Sequence, residues 1–305
     1  MLRTLAATCL LVGMAASAAD AQVTLTRKFP EEGTQSRSID TSTKQTLVIA
    51  GMNVDTSSQQ NMVVSTKIGK RNAAGELSVE YKVESLQQMV KAPGLGEVNF
   101  DSANPDKATE SPLTPIFKAA SQATWTMTLD RENRVASVSG RDKAFESLDE
   151  NLREAMKASF DPAKLKAAAQ VELDRIPTKA VKAGDSWEQD EVQQLEGGQS
   201  LTLHKKYTYH GPVNHDGRKV HQIDVSLTKV TLAIEGANAA NLTLKKSDLK
   251  PGASSGKLLF DEEAGELVSD KQVHQIKGQI TLAIAGQELP AELDLTLDTS
   301  VVARR

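Results

Sequence analysis

The feature that most constrains this chain is a two-residue period in its apolar side chains, broken by turn signals and repeated on both sides of a central stretch, residues 141–176. Met62, Val64, Thr66 and Ile68 alternate, Asn72-Ala73-Ala74-Gly75 turns the chain, and Leu77, Val79, Tyr81 and Val83 alternate again. Successive side chains of a strand point to opposite faces, so this pattern predicts a hairpin with one buried face. The apolar phase then slips to Leu86, which predicts a bulge near Ser85. Trp125, Met127 and Leu129, the turn Asp130–Asn133 and Val135–Val138 predict a second hairpin.

In the second half Leu201, Leu203, Tyr207 and Tyr209 share a face that Lys205 interrupts. Ile223, Val225 and Leu227 share another, which slips to Val230, Leu232 and Ile234. Ile280, Leu282 and Ile284 alternate, as do Leu293, Leu295 and Leu297. Turns are expected at Asn214–Gly217 and Asp261–Gly265. Gln22–Phe29 is expected to begin a strand and Thr34–Ala50 to form a long, mostly exposed one. The Pro- and Gly-bearing segments 92–115 and 245–256 are expected to be loops.

The central stretch changes period. Phe145, Leu148, Leu152 and Met156 recur at steps of three and four, with charged residues between them, as on an amphipathic helix. Asp161-Pro162 is a restart signal, an N-cap followed by proline at the first helical position. Leu165, Ala168, Ala169, Glu172, Leu173 and Ile176 continue a weaker stripe until Pro177 stops it. The expected fold is mainly β: an antiparallel, open or half-closed barrel with a central pair of amphipathic helices. Residues 22–305 then form a single β-rich domain. Its halves, 22–140 and 181–305, show a similar order of hairpins and are candidates for a pseudo-repeat joined by helices 141–176.

Composition narrows the function classes. Met1-Leu2-Arg3 followed by a short apolar run to Ala18 reads as a secretory signal. Both Ala16-Ser17-Ala18 and Ala19-Asp20-Ala21 suit cleavage, with Ala21 followed by Gln22 favoured. The single cysteine, Cys9, lies in that signal, so the mature chain carries no disulfide or thiol chemistry. Thirty-six basic against 40 acidic residues give a net charge of −4, which argues against a nucleic-acid partner. No later apolar run reaches transmembrane length. With two Trp, three Tyr and six Phe, the chain lacks the aromatic girdles of an outer-membrane barrel. The product is expected to be exported, to the periplasm or beyond.

Ile176-Pro177 followed by Val181-Lys182-Ala183-Gly184-Asp185-Ser186-Trp187, together with the hairpin Leu129-Asp130-x-x-Asn133-x-Val135, resembles a family of secreted, β-rich bacterial proteins of unknown function. The resemblance implies a signal peptide, many amphipathic strands and a central helical region. At the level of fold alone, the pattern is also similar to periplasmic lipoprotein carriers, half-barrels whose helices plug an apolar cavity.

The chemistry-bearing patterns are weak. Gly184-Asp185-Ser186-Trp187 reads as a turn in which Asp185 bonds nearby N–H groups and Trp187 anchors the next strand. Gly252-Ala253-Ser254-Ser255-Gly256 fits a nucleophile-elbow pattern in letters only, because a strand rather than a helix should follow; it reads as a flexible loop. The five histidines lack metal-ligand spacing and read as solvated. No catalytic residue, metal site or cofactor is expected. The leading expectation is a non-enzymatic binder of an apolar ligand or acylated partner, whether a lipid, an acylated peptide or an envelope protein. Trp125, Met127, Phe145, Tyr207 and Tyr209 are the candidate cleft residues. The alternatives are a structural or interaction protein of the cell envelope, and a hydrolase with an unrecognised site.

Overall fold

The computed structural model describes residues 22–194, 199–234, 242–284 and 287–304; the expected signal segment, including Ala21, lies outside them. The chain belongs to the mainly β class. Its strands are β1 (Thr34–Ile49), β2 (Met52–Arg71), β3 (Leu77–Ala92), β4 (Gly96–Asp101), β5 (Thr124–Leu129), β6 (Val135–Ser139), β7 (Ser186–Gln194), β8 (Gln199–His215), β9 (Arg218–Ile234), β10 (Leu242–Asp261), β11 (Glu266–Ile284) and β12 (Gln287–Arg304). They form one antiparallel sheet in the order β6-β5-β3-β2-β1-β12-β11-β10-β9-β8-β7, with β4 on β3. The two halves of the chain meet where β1 pairs with β12, from Ser36 opposite Arg304 to Ile49 opposite Ala291. The sheet is not closed: β6 and β7 are its ends.

Both phase slips mark bulges. Val63 and Val64 face Ser85 and Val83, so Glu84 is the extra residue. His204 and Lys205 face Lys229 and Leu227, so Thr228 is extra. Each bulge returns the apolar residues beyond it to the inner face.

Three α-helices follow from local signals: α1 (Thr114–Ser121), α2 (Glu150–Met156) and α3 (Pro162–Asp174). The Asp161 carboxylate accepts from Lys164 N at 2.8 Å and caps α3, with Pro162 in its first turn, as expected. Asp149 accepts from Leu152 N at 3.0 Å and starts α2. The helical stripe expected from Phe145 onward is therefore cut short. Phe145 ends a 3-10 turn, and with Leu148 it packs against Ala119 of α1.

Helix α3 joins the two ends of the sheet. Gln170 Oε1 accepts from the backbone N of Val135 in β6 at 2.8 Å, and Gln189 Nε2 in β7 donates to the Val171 carbonyl at 2.7 Å. The helix thus occupies the place where strand pairing would close a barrel, and satisfies part of the exposed edge. Its Ala169 and Leu173 pack on Ile68, Val79 and Met127 of the inner face.

Several expected loops are strand or helix. Residues 96–101 form β4, and residues 114–121 form α1. Residues 245–256 lie within β10, where the register slips between Pro251 and Ser254. A bulge accommodates proline, which has no N–H to give to the ladder, so proline and glycine do not end the strand there. Residues 22–29 make only an isolated bridge, Val23 with Val181. Alternate residues of this segment are exposed, and Leu25 is buried.

Candidate functional site

The inner face of the first half carries a floor built by register. Gln35 lies opposite Thr66, Thr66 opposite Tyr81, and Tyr81 opposite Trp125. The next row runs Ile68, Val79, Met127 and Val138. Directly opposed pairs bring side chains into contact, and the Tyr81 and Trp125 rings stack with centroids 5.1 Å apart and planes 1° from parallel. Over this floor lie Leu165, Ala168, Ala169, Glu172 and Leu173 of α3. Between them remains a cavity of ≈ 230 Å³. Ala168 and Ala169 of α3 line it with single methyl groups.

The walls of this apolar cavity are basic. Arg27, Arg37 and Arg141 line it, against one carboxylate, Glu172. Arg27 is brought in by the N-terminal segment. That segment is fixed by Lys28 N donating to the Gly265 carbonyl at 2.9 Å. Gly265 has φ +68, and a Cβ there would lie 2.4 Å from the Lys28 side chain, so glycine is required for this approach. Arg27 Nη2 donates to the Glu172 backbone carbonyl at 2.9 Å, while its Nε is enclosed without an acceptor. Burial lowers the Arg27 pKa to about 10, opposed by Glu172. The Arg37 guanidinium lies 3.6 Å from the Glu172 carboxylate. Burial would raise the Glu172 pKa, but Arg175, Arg37 and Arg27 outweigh it and hold the group below the usual carboxylate range. Half of the Glu172 side chain stays accessible, at 51%, which fits a group on the wall of an unfilled cavity. Arg141 lies at the rim with its guanidinium 5.6 Å from the centre of the Trp125 ring. Burial, then Glu172, raises the Tyr81 pKa to about 12, so its hydroxyl remains a neutral donor near pH 7. Two more open concavities flank the first half, one of ≈ 580 Å³ that shares the wall Phe29, Gln35 and Arg37.

A second polar region crosses the interior of the other half. Arg175, just beyond α3, donates to Glu191 of β7 and to Asp270 of β11, each at 2.9 Å. Lys205 Nζ, on the face where it interrupts the apolar run, donates to Glu191 and to Gln272 at 2.9 Å. The Tyr207 hydroxyl also donates to Glu191, at 2.9 Å. Burial would raise Glu191, yet Arg175 and Lys205, with the Lys205 and Tyr207 hydrogen bonds, hold it down to about 2. The belt ends at His274, with Nδ1 2.7 Å from Ser254 Oγ and Nε2 3.0 Å from Gln272 Oε1. Burial, reinforced by Lys205, lowers the His274 pKa to about 4, so the ring is neutral. The Ser254–His274 pair is joined to the belt through Gln272, and Ser254 Oγ also accepts from Leu227 N at 3.1 Å.

Of the candidate residues, Trp125 and Met127 come together at the cavity. Phe145 packs beneath α1, and Tyr207 and Tyr209 are buried in a separate core with Leu25, Ile223 and Phe260. His221 and His274, expected to be solvated, are buried at 5% and 3% exposure. His221 bonds Tyr209 and Glu262. The Gly-Asp-Ser-Trp segment is a turn: Asp185 accepts from Lys182 N at 3.0 Å, and Trp187 stacks on Tyr207 at 5.7 Å. Among the described residues, no three acidic or histidine side chains converge as a metal site, and no helix is long and apolar enough to cross a membrane. The sequence reading missed Arg27, Arg37, Tyr81, Arg141 and Glu172. Glu172 carried the one available signal, a carboxylate within the apolar stripe of α3.

Residues 74–248, more than half of the chain, match the model of a family of unknown function, DUF6263, and the chain belongs to that family. No curated protein matches it in sequence. Among solved structures, a lipovitellin described for its lipid–protein interactions is 9% identical with a TM-score of 0.43, covering 91% of this chain. The chain spans 26% of that protein's length. DynF from the dynemicin biosynthesis pathway of Micromonospora chersina is 8% identical with a TM-score of 0.16, covering 92% of this chain and 85% of its own. A DUF1329 family protein from Desulfovibrio piger is 8% identical with a TM-score of 0.14, covering 86% and 84%. These scores are too low for any functional inference.

Proposed function

We propose that this protein is an exported, non-enzymatic binder whose ligand inserts an apolar chain between α3 and the inner face of the sheet. The unfilled cavity over Trp125, Met127 and Val79 carries this reading. Interiors are close-packed, so a retained apolar space with a few polar groups at one side is the common form of a ligand site. At ≈ 230 Å³ it lies just below the ~300–1,000 Å³ of drug-sized pockets, which suits a medium-length chain or the end of an acyl group. A lipid or an acylated envelope protein fits the route implied by the signal segment.

Native mass spectrometry of protein purified from the periplasm tests the reading, together with titration of the neutral apolar fluorophore N-phenyl-1-naphthylamine. An organic-extractable bound mass and saturable fluorescence are expected. A clean apo mass with no saturable fluorescence would instead support an envelope interaction protein with a packed interior.

A further inference from the structure

We infer that the ligand is an anionic amphiphile, its acidic headgroup held by Arg27, Arg37 and Arg141 at the α3 cavity and its chain lying over Val79 and Met127. This rests on the binder reading and names its ligand class. Three guanidiniums line the cavity against one carboxylate, Glu172; Glu266, outside the lining, also acts on Arg37, which leaves a surplus of one positive charge. The single carboxylate is already shared: Arg37 lies 3.6 Å from it, and Arg27 takes the backbone carbonyl of the same residue. Arg27 Nε is enclosed with no acceptor, although buried donors are nearly always satisfied. The contact recorded for Arg141 is the Trp125 ring face, 5.6 Å away. An apolar floor with surplus guanidinium donors at its edge complements a molecule that is apolar along its length and negative at one end. A neutral lipid would leave these donors unpaired, and a cationic one would be repelled.

Displacement of N-phenyl-1-naphthylamine by ten-carbon ligands differing only in the headgroup tests this: decanoate, decyl phosphate, decanol and decylammonium. Decanoate is expected to bind about tenfold or more tighter than decanol, one charge-assisted hydrogen bond's difference, and decylammonium more weakly than either. Arg141→Gln should erase most of the decanoate preference while decanol binding persists, and Arg141→Lys should restore part of it. Decyl phosphate binding above decanoate would keep the anion site and assign it to phosphate headgroups. Equal binding of decanoate, decanol and decylammonium, unchanged in Arg141→Gln, would overturn the anion site and leave the apolar binder standing. Failure of every ligand and of the fluorophore itself would overturn both.

Discussion

Two regions bring charge into the same β-sheet interior, and they differ in how that charge is matched. In the belt of the second half, Arg175 and Lys205 face Glu191 and Asp270, and each is within 2.9 Å of an opposite charge. At the α3 cavity, Glu172 is the one carboxylate in a lining that holds Arg27, Arg37 and Arg141, and space remains beside them. Matched, hydrogen-bonded charges in a filled interior fix geometry. Here they tie the end of α3 to β7 and β11. Surplus charge beside an unfilled apolar space is the feature on which the proposed anionic-ligand reading rests.

The largest effect expected from breaking the contrast is on the belt. Glu191→Gln leaves Arg175 and Lys205 short of their shared carboxylate, and unpairing a buried charge costs about 3–5 kcal/mol. Urea unfolding should show a lowered midpoint with an unchanged slope; a wild-type midpoint would mean that the belt is not structural.

Acid should probe the same network next. His274 has its pKa lowered to about 4 by burial and Lys205, from 6.5. Between those values the unfolded chain takes up a proton that the folded chain refuses. Stability is therefore full above about pH 6.5 and falls toward pH 4, by on the order of 2–3 kcal/mol. Glu191, held near 2 against an ordinary 4.5, adds stability that is present above about pH 4.5 and lost as pH falls toward 2. Thermal midpoints between pH 7 and 4 read the first window, and His274→Gln should flatten it.

Changes at the cavity should separate binding from stability. Ala169→Leu fills space beneath α3, so stability should fall by no more than about 1–3 kcal/mol, the usual range for added methylenes, while fluorophore binding is lost. Retained binding would place the ligand elsewhere. The smallest stability change is expected for Arg141→Gln, within about 1 kcal/mol, the worth of an exposed cation–π contact. A large loss of stability there would make the cavity charges structural, like those of the belt.

The fold was legible in the sequence where local physics decides. Period-two runs located the hairpins around Asn72–Gly75, Asp130–Asn133 and Asp261–Gly265. The phase slip at Leu86 located a bulge, the slip at Val230 proved to mark another, and Asp161-Pro162 located the start of α3. Asn133 takes the positive φ of 59° that its turn needs. Residues 102–113 are the irregular connection expected there, but Gly96–Asp101 and 245–256 are strand. Proline and glycine read locally as breaks, whereas neighbouring strands supply a bulge that absorbs Pro251 and a partner that makes Gly96–Asp101 a strand.

The site was less legible. Trp125 and Met127 share the parity of the inner face, and both line the cavity. Tyr207 and Tyr209 have equally good parity, yet they are buried in a core cluster with Leu25 of the N-terminal segment. Glu172 and Lys205 each stood out as a charge on an apolar face, but only partners distant in sequence give the two different meanings. Lys205 meets Glu191 and Gln272 at 2.9 Å, and Glu172 meets more arginines than it can neutralise.

The sequence by itself determined the strands, the bulges, the capped helix and the inner face, because each depends on side-chain period or on hydrogen bonds a few residues apart. Only the tertiary structure decided that β1 pairs with β12, that α3 bridges the open ends of the sheet, and that Arg27 reaches Glu172 across 145 residues. Those outcomes depend on which distant surfaces meet. Excess volume and unmatched charge exist only once they have met.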